Sequence, residues 1–213
     1  MQVFIDGQQF SQTIDEAATL ESNVQSIREQ LDQRRMIVEI VCDGIDLVDG
    51  DLQEGLAQPA KKYKRVDIKT GTPEELVTLA LSQGQCILTE SESLRSTAVE
   101  KLSAGKVEEA MTALGECIAK WRSVHDALDK SIQMLDIDAT SHTIGDRPLT
   151  EVILEPQNLL EEIKSTLLNK DFVQLADILE YEFETVINNW QSILKSVSDI
   201  AETRLAHSPS SPI

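Results

Sequence analysis

Residues 68–81 read IKTGTPEELVTLAL, and their reading decides the fold. Thr72 is placed to cap a helix, Pro73 suits the first helical position, and Glu75 closes a reciprocal capping box three residues on from Thr72. Before this point the chain runs in short β-branched stretches broken by Asp-Gly pairs. After it, apolar residues recur at spacings of three and four as far as Ile200. The spacing therefore predicts an α+β protein with a change of regime near Gly71. Residues 1–71 form a small α/β unit, 72–206 a long antiparallel four-helix bundle, and 207–213, HSPSSPI, a disordered tail.

Upstream of the boundary, VFIDGQQF and MIVEIVCDGIDL each place Asp-Gly between apolar residues, the strongest short hairpin signal. Between them Thr13 and Glu16 are spaced as a capping box, and Ala17, Leu20, Val24, Ile27 and Leu31 follow as an amphipathic helix. Val48 to Ala60 reads as irregular, and RVDIKT (65–70) as a last strand. Hairpin, helix, hairpin, strand is the element order of a β-grasp-like unit, a likeness of fold that carries no function.

Downstream, four apolar stripes succeed one another. Leu76, Leu79, Gln83, Ile87, Leu94, Ala98 and Leu102 form the first. Ala104-Gly105 turns the chain into Val107, Ala110, Leu114, Cys117, Trp121, Val124, Leu128, Ser131 and Leu135, with Met111, Ile118, His125 and Ile132 alongside. A polar crossover, DIDATSHTIGDRP (136–148), leads to Leu149, Ile153, Leu160, Ile163 and Leu167, with a kink expected at Pro156. Asn169-Lys170-Asp171 turns into Phe172, Leu175, Leu179, Phe183, Val186, Trp190, Ile193, Val197 and Ile200. One stripe cannot be buried alone, and short turns make neighbours antiparallel, so two helical hairpins close a bundle.

Composition narrows the chemistry. Of 213 residues, 19 are Lys or Arg and 37 Asp or Glu, a formal net charge of −18. Residues 1–71 hold 8 basic against 13 acidic side chains, or −5, leaving −13 for the rest. Both parts are acidic, which argues against a DNA duplex or an anionic membrane surface as partner. Cys42, Cys86 and Cys117 are odd in number and widely spaced, as expected of reduced thiols in the cytoplasm. The N-terminus lacks a basic, then apolar, leader pattern, and no apolar run is long enough to span a membrane.

The stretch ILEYEFE (178–184) sets three glutamates among aromatic residues. Glu180 and Glu184, four apart, share a helix face, and Glu182 falls at the stripe's edge. A carboxylate-bridged metal bundle would need Glu-x-x-His pairs. The residues three before His125, His142 and His207 are Arg122, Ala139 and Arg204, so neither a metal nor another cofactor is expected. The face is a solvated one, and Glu180, Tyr181 and Glu184 are the candidates for touching a partner protein. His125 sits on the flank of its stripe with no nucleophile in reach, so it reads as a packing residue. No phosphate-loop, dinucleotide or serine-hydrolase signature occurs. KKYKR, residues Lys61, Lys62, Tyr63, Lys64 and Arg65, is the one basic cluster. It reads as a solubilising strand edge, with contact to an anionic partner such as RNA as the alternative.

LSAGKVEEAMTALGECIAKWRSVHDALD (102–129) resembles the second-helix region of flagellar secretion chaperones of the flagellin-binding type. LLNKDFVQLADILEYEFETVINNWQSIL (167–194) resembles their final helix pair, and the likeness spans about 93–195. It implies an all-helical cytosolic chaperone that sheathes an aggregation-prone helix of an export substrate, and it carries over no individual binding residue. The expectation is thus a non-enzymatic module that binds another protein through its bundle. The alternative is an enzyme using carboxylates in a cleft between the two units.

Overall fold

The computed structural model describes residues 1–207; apart from His207, the tail expected at 207–213 lies outside them. The chain is α+β and divides into two compact units, Met1–Leu76 and Val77 onward. The division falls one helical turn beyond Gly71.

In the first unit, β1 (Gln2–Ile5) and β2 (Gln8–Gln9) form a hairpin, as do β3 (Met36–Cys42) and β4 (Ile45–Asp46). Both turns are Asp-Gly with positive φ at each central residue, 48° and 81° for Asp6-Gly7 and 51° and 84° for Asp43-Gly44. That geometry matches the twist of the strands it joins. Strand β5 (Arg65–Gly71) lies at the centre of the order β2-β1-β5-β3-β4, parallel to β1 and antiparallel to β3. The two turn aspartates also hold β5 in register. Asp6 accepts from the Thr70 backbone N–H at 2.8 Å, and Asp43 from that of Arg65 at 2.8 Å.

Alternation sends Val3, Ile5, Ile40, Cys42, Val66 and Ile68 to one face of the sheet, where they bury Leu20 and Ile27 of α1 (Leu20–Arg28). The opposite face carries charge pairs. Lys69 bonds Glu39 directly across the strands, and Arg65 bonds Asp67 while stacking 4.1 Å above the Phe4 ring.

Helix α1 begins at Leu20, capped by Thr19, whose hydroxyl accepts from Ser22. The expected capping box at Thr13 and Glu16 does not form. Asp15 accepts from the backbone N–H of Ala17, and Glu16 pairs with the N-terminal amine. The stretch expected to be irregular contains α2 (Asp49–Leu56).

The capping box at the regime change is present in both directions. Thr72 N–H donates to the Glu75 carboxylate at 2.8 Å, and Glu75 N–H to the Thr72 hydroxyl at 3.3 Å. It starts α3 (Pro73–Ser103), which Gly105, at φ 73°, turns into α4 (Val107–Met134). The crossover is more ordered than its polarity suggests. Ile137 is buried, Ala139 and Ile144 pack on the core, and β6 (Thr143–Ile144) pairs with β7 (Arg147–Pro148). Helix α5 (Leu149–Asn169) continues as a helix through the buried Pro156. Lys170 takes a left-handed conformation, and Asp171 caps α6 (Phe172–Asp177), which leads through residues 178–182 into α7 (Phe183–Ala206).

Side-chain bonds give the directions. Lys101 pairs with Glu109 and Lys120 with Glu90, so α3 and α4 are antiparallel. Asn189 donates to Glu155 at 2.9 Å between antiparallel α5 and α7. Helices α4 and α7 run the same way and meet through aromatic rings. Trp121 lies 5.1 Å from Phe183 and 5.4 Å from Trp190, and His125 stacks on Trp190 at 5.6 Å.

Both indoles are buried, and neither indole N–H meets an acceptor among the described residues. Their contribution is therefore packing. Trp190→Ala is expected to cost about 3–5 kcal/mol, as for other large core truncations, measured by denaturant unfolding of the full chain. A loss of about 0.5 kcal/mol or less, the range of surface changes, would contradict this placement.

Candidate functional site

The stretch ILEYE, Ile178–Glu182, is a π-helical turn: the Phe183 N–H reaches back five residues to the Ile178 carbonyl. It sits between α6 and α7 in one continuous helical path. Leu175, Leu179 and Phe183 are all buried along it, and the apolar stripe continues into Val186, Trp190 and Ile193.

Arg95 of α3 holds this turn from within the bundle. Its Nη1 donates to the Leu179 carbonyl at 2.6 Å and, more weakly, to that of Glu180 at 3.4 Å. Its Nε donates to Glu92 at 3.0 Å, and a second guanidinium nitrogen pairs with the same carboxylate. Arg95 is 8% exposed, so its charge is tolerated only because Glu92 neutralises it and the helix carbonyls take its remaining donors.

On the outer side of the turn a groove of about 380 Å³ opens between α5 and α7. Leu159 and Val186 are buried and supply its apolar lining; Glu155, Asn158, Glu162, Tyr181, Glu182, Thr185 and Asn189 complete it. The polar residues repeat at seven, Glu155 and Glu162 on α5 facing Asn189 and Glu182 across the antiparallel pair. Glu155 is already committed, bonded to Asn189 and paired with Arg147. Glu162 and Glu182 face each other. Glu182 is exposed, yet partial desolvation, then the charge of Glu162 and a hydrogen bond with it, shift its carboxyl above the usual carboxylate range. Tyr181 stands on the rim, 66% exposed.

Of the three residues expected to meet a partner, only Tyr181 lines the groove; Glu180 and Glu184 are exposed outside it. Glu182, read as a stripe-edge residue, belongs to it, and the α5 wall was not anticipated. The apolar spacing does not mark the widened turn, since Ile193, Val197 and Ala201 make the same double step of four inside the regular α7.

The basic cluster also departs from expectation. It is no strand edge, because β5 is central and Lys61, Lys62 and Lys64 precede it. Nor is Tyr63 free to stack on a base: it is half-buried and its hydroxyl donates to Gly55 O at 3.1 Å. Arg65 is spent on Asp67 and Phe4, which leaves Lys61, Lys62 and Lys64 exposed.

Among the described residues no group of three or more His, Cys, Asp or Glu is placed to hold a metal ion. Burial pushes the Cys42 and Cys117 thiols up to about 11, with Asp43 and Glu92 respectively adding to the effect, while Cys86 is exposed. Two buried thiols with so little thiolate at neutral pH are poor nucleophiles.

Residues 89–193 match the family described as Domain of unknown function (DUF8042), and residues 1–72 match the TP0873 N-terminal domain. The first match contains Arg95, the π-turn and the whole groove lining; the second ends at the Thr72 cap. No curated protein matches the chain, and no solved structure does. Among the described residues no helix is long and apolar enough to cross a membrane.

Two consequences can be measured. Arg95→Ala removes the charged donor to the Leu179 carbonyl and strands Glu92, and is expected to destabilise the chain by about 1.5–3 kcal/mol in denaturant unfolding. A loss under about 0.5 kcal/mol would mean that the π-turn holds without it. For Glu182, a raised folded pKa means the native state binds the proton more tightly than the unfolded chain, so stability falls as pH rises through that pKa. Glu182→Gln should therefore raise the melting temperature at neutral pH. The gain should vanish below the ordinary carboxylate range, where Glu182 is protonated in both states. A gain independent of pH would show that Glu162 is not its cause.

Proposed function

We propose that the protein is a non-enzymatic, cytoplasmic interaction module that binds another protein through its helical bundle, in the manner of a chaperone or scaffold. The observation that carries this reading is the groove beside the π-turn, with its apolar lining of Leu159 and Val186 and the exposed ring of Tyr181 at its rim. An aromatic side chain beside an apolar slot is a common anchor point in protein recognition. The likeness of residues 93–195 to flagellar secretion chaperones fits the same reading, since those bundles sheathe a helix of their substrate. Glu180 and Glu184, exposed outside the groove, add to the acidic surface around it, which tunes association rate more than affinity.

An enzymatic reading has one observation in its favour, the Glu162–Glu182 pair, in which the Glu182 carboxyl is shifted above its ordinary range. Two carboxyls pushed apart in this way are a starting point for acid–base chemistry. No Lys, Arg, His or Cys lines the groove to serve as nucleophile or to stabilise a developing negative charge. Binding is therefore the better account.

The test uses the full chain as bait in a lysate of its own host. Tyr181→Ala should abolish capture of a specific protein, and Glu180→Lys with Glu184→Lys should slow it while leaving stability within about 0.5 kcal/mol. If capture is indifferent to Tyr181, and small molecules instead raise the melting temperature in a Glu182-dependent manner, the interaction reading fails and the enzymatic one replaces it.

A further inference from the structure

The interaction reading leaves open what the groove selects, and its lining constrains the answer. Two walls seven residues long, at 1.5 Å rise per residue, give a slot about 10 Å along the helix axes. Its apolar lining, Leu159 and Val186, accepts hydrocarbon. At one end Glu155 is satisfied by Arg147 and Asn189; at the other Glu162 and Glu182 are held against each other, with no basic residue among those lining the groove. Two carboxylates brought together by folding disfavour each other's charge, and an ammonium or guanidinium group between them favours both. Independently of the carboxylates, the π-turn presents Tyr181, whose ring face attracts a cation. A long basic side chain meets all three features at once, laying its methylenes on the apolar lining and its charge between the glutamates.

Resting on the interaction reading, we infer that the groove between α5 and α7 is a docking site for a lysine- or arginine-bearing segment of a partner protein, with Glu162 and Glu182 taking the charge and Tyr181 covering it. The net charge of −18 draws such a segment in from a distance and repels anionic competitors. It also disfavours a second copy of the chain as occupant, although Lys61, Lys62 and Lys64 are exposed and basic.

The experiment uses the full chain near physiological ionic strength, where long-range attraction is screened. The probes are a labelled amphipathic Leu/Lys peptide and a Leu/Glu peptide of the same length, followed by fluorescence anisotropy. The lysine peptide should bind and the glutamate peptide should not. Glu162→Gln with Glu182→Gln should weaken binding about tenfold, as loss of a charge-assisted contact does, and Tyr181→Ala about threefold to fivefold. A control of equal charge change, Glu116→Gln with Glu202→Gln, both exposed and remote from the groove lining, should change binding by less than about twofold. Melting curves confirm that each variant folds.

Equal losses from the control and the groove variants would overturn the inference, showing only that an acidic protein attracts a basic peptide. Absence of lysine-peptide binding would also overturn it. If the glutamate peptide binds with the same dependence on Tyr181, the cationic specificity is wrong while the interaction reading stands. If sedimentation shows self-association that Lys61→Glu with Lys62→Glu abolishes, the occupant is a second copy and the inference falls.

Discussion

The widened turn at 178–182 takes the Leu179 carbonyl out of the helical ladder, because the Phe183 N–H passes over it to reach the Ile178 carbonyl. That costs part of the backbone ladder, while Phe183 keeps its buried packing on Trp121. Arg95 recovers some of that cost by donating to the Leu179 carbonyl. A buried guanidinium in turn requires Glu92. The buried ion pair and the widened turn are thus coupled.

The sequence announced structure wherever a local interaction decides the backbone. Asp-Gly at 6–7 and 43–44 and the Thr72–Glu75 box are legible because turn conformation and cap hydrogen bonds are settled within four residues. Thr13 and Glu16 have the same spacing as Thr72 and Glu75 and yet no helix starts there. Asn23 is the physical reason: its side chain bonds the carbonyls of Asp15 and Thr19 and accepts from the Asp15 N–H, holding the preceding chain in a turn until Thr19 caps α1. That competition runs across eight residues and leaves no spacing signature. KKYKR was misplaced for a related reason. A strand's position in a sheet is set by partners distant in sequence, and β5 pairs with both β1 and β3.

The groove was the least legible feature, although its components were visible singly. Glu155 and Glu162 belong to α5, and Glu182 and Asn189 to the helix two turns of chain later. Nothing in either helix alone shows that these faces meet, because the apolar stripes fix only which side of each helix is inward.

Paired and opposed charges occur together on this acidic chain. On the outer face of the sheet Lys69 meets Glu39 and Arg65 meets Asp67, so each charge has a partner within the fold and the face offers little unsatisfied attraction. In the groove Glu155 alone is balanced, while Glu162 and Glu182 oppose each other. Both carboxylates are accessible, so solvent screens part of their repulsion, and what remains contributes to the upward shift of the Glu182 carboxyl. On the proposed reading the compensating charge comes from a partner: a cationic group beside the pair offsets that repulsion, and a site already neutral within the chain has nothing to gain from one.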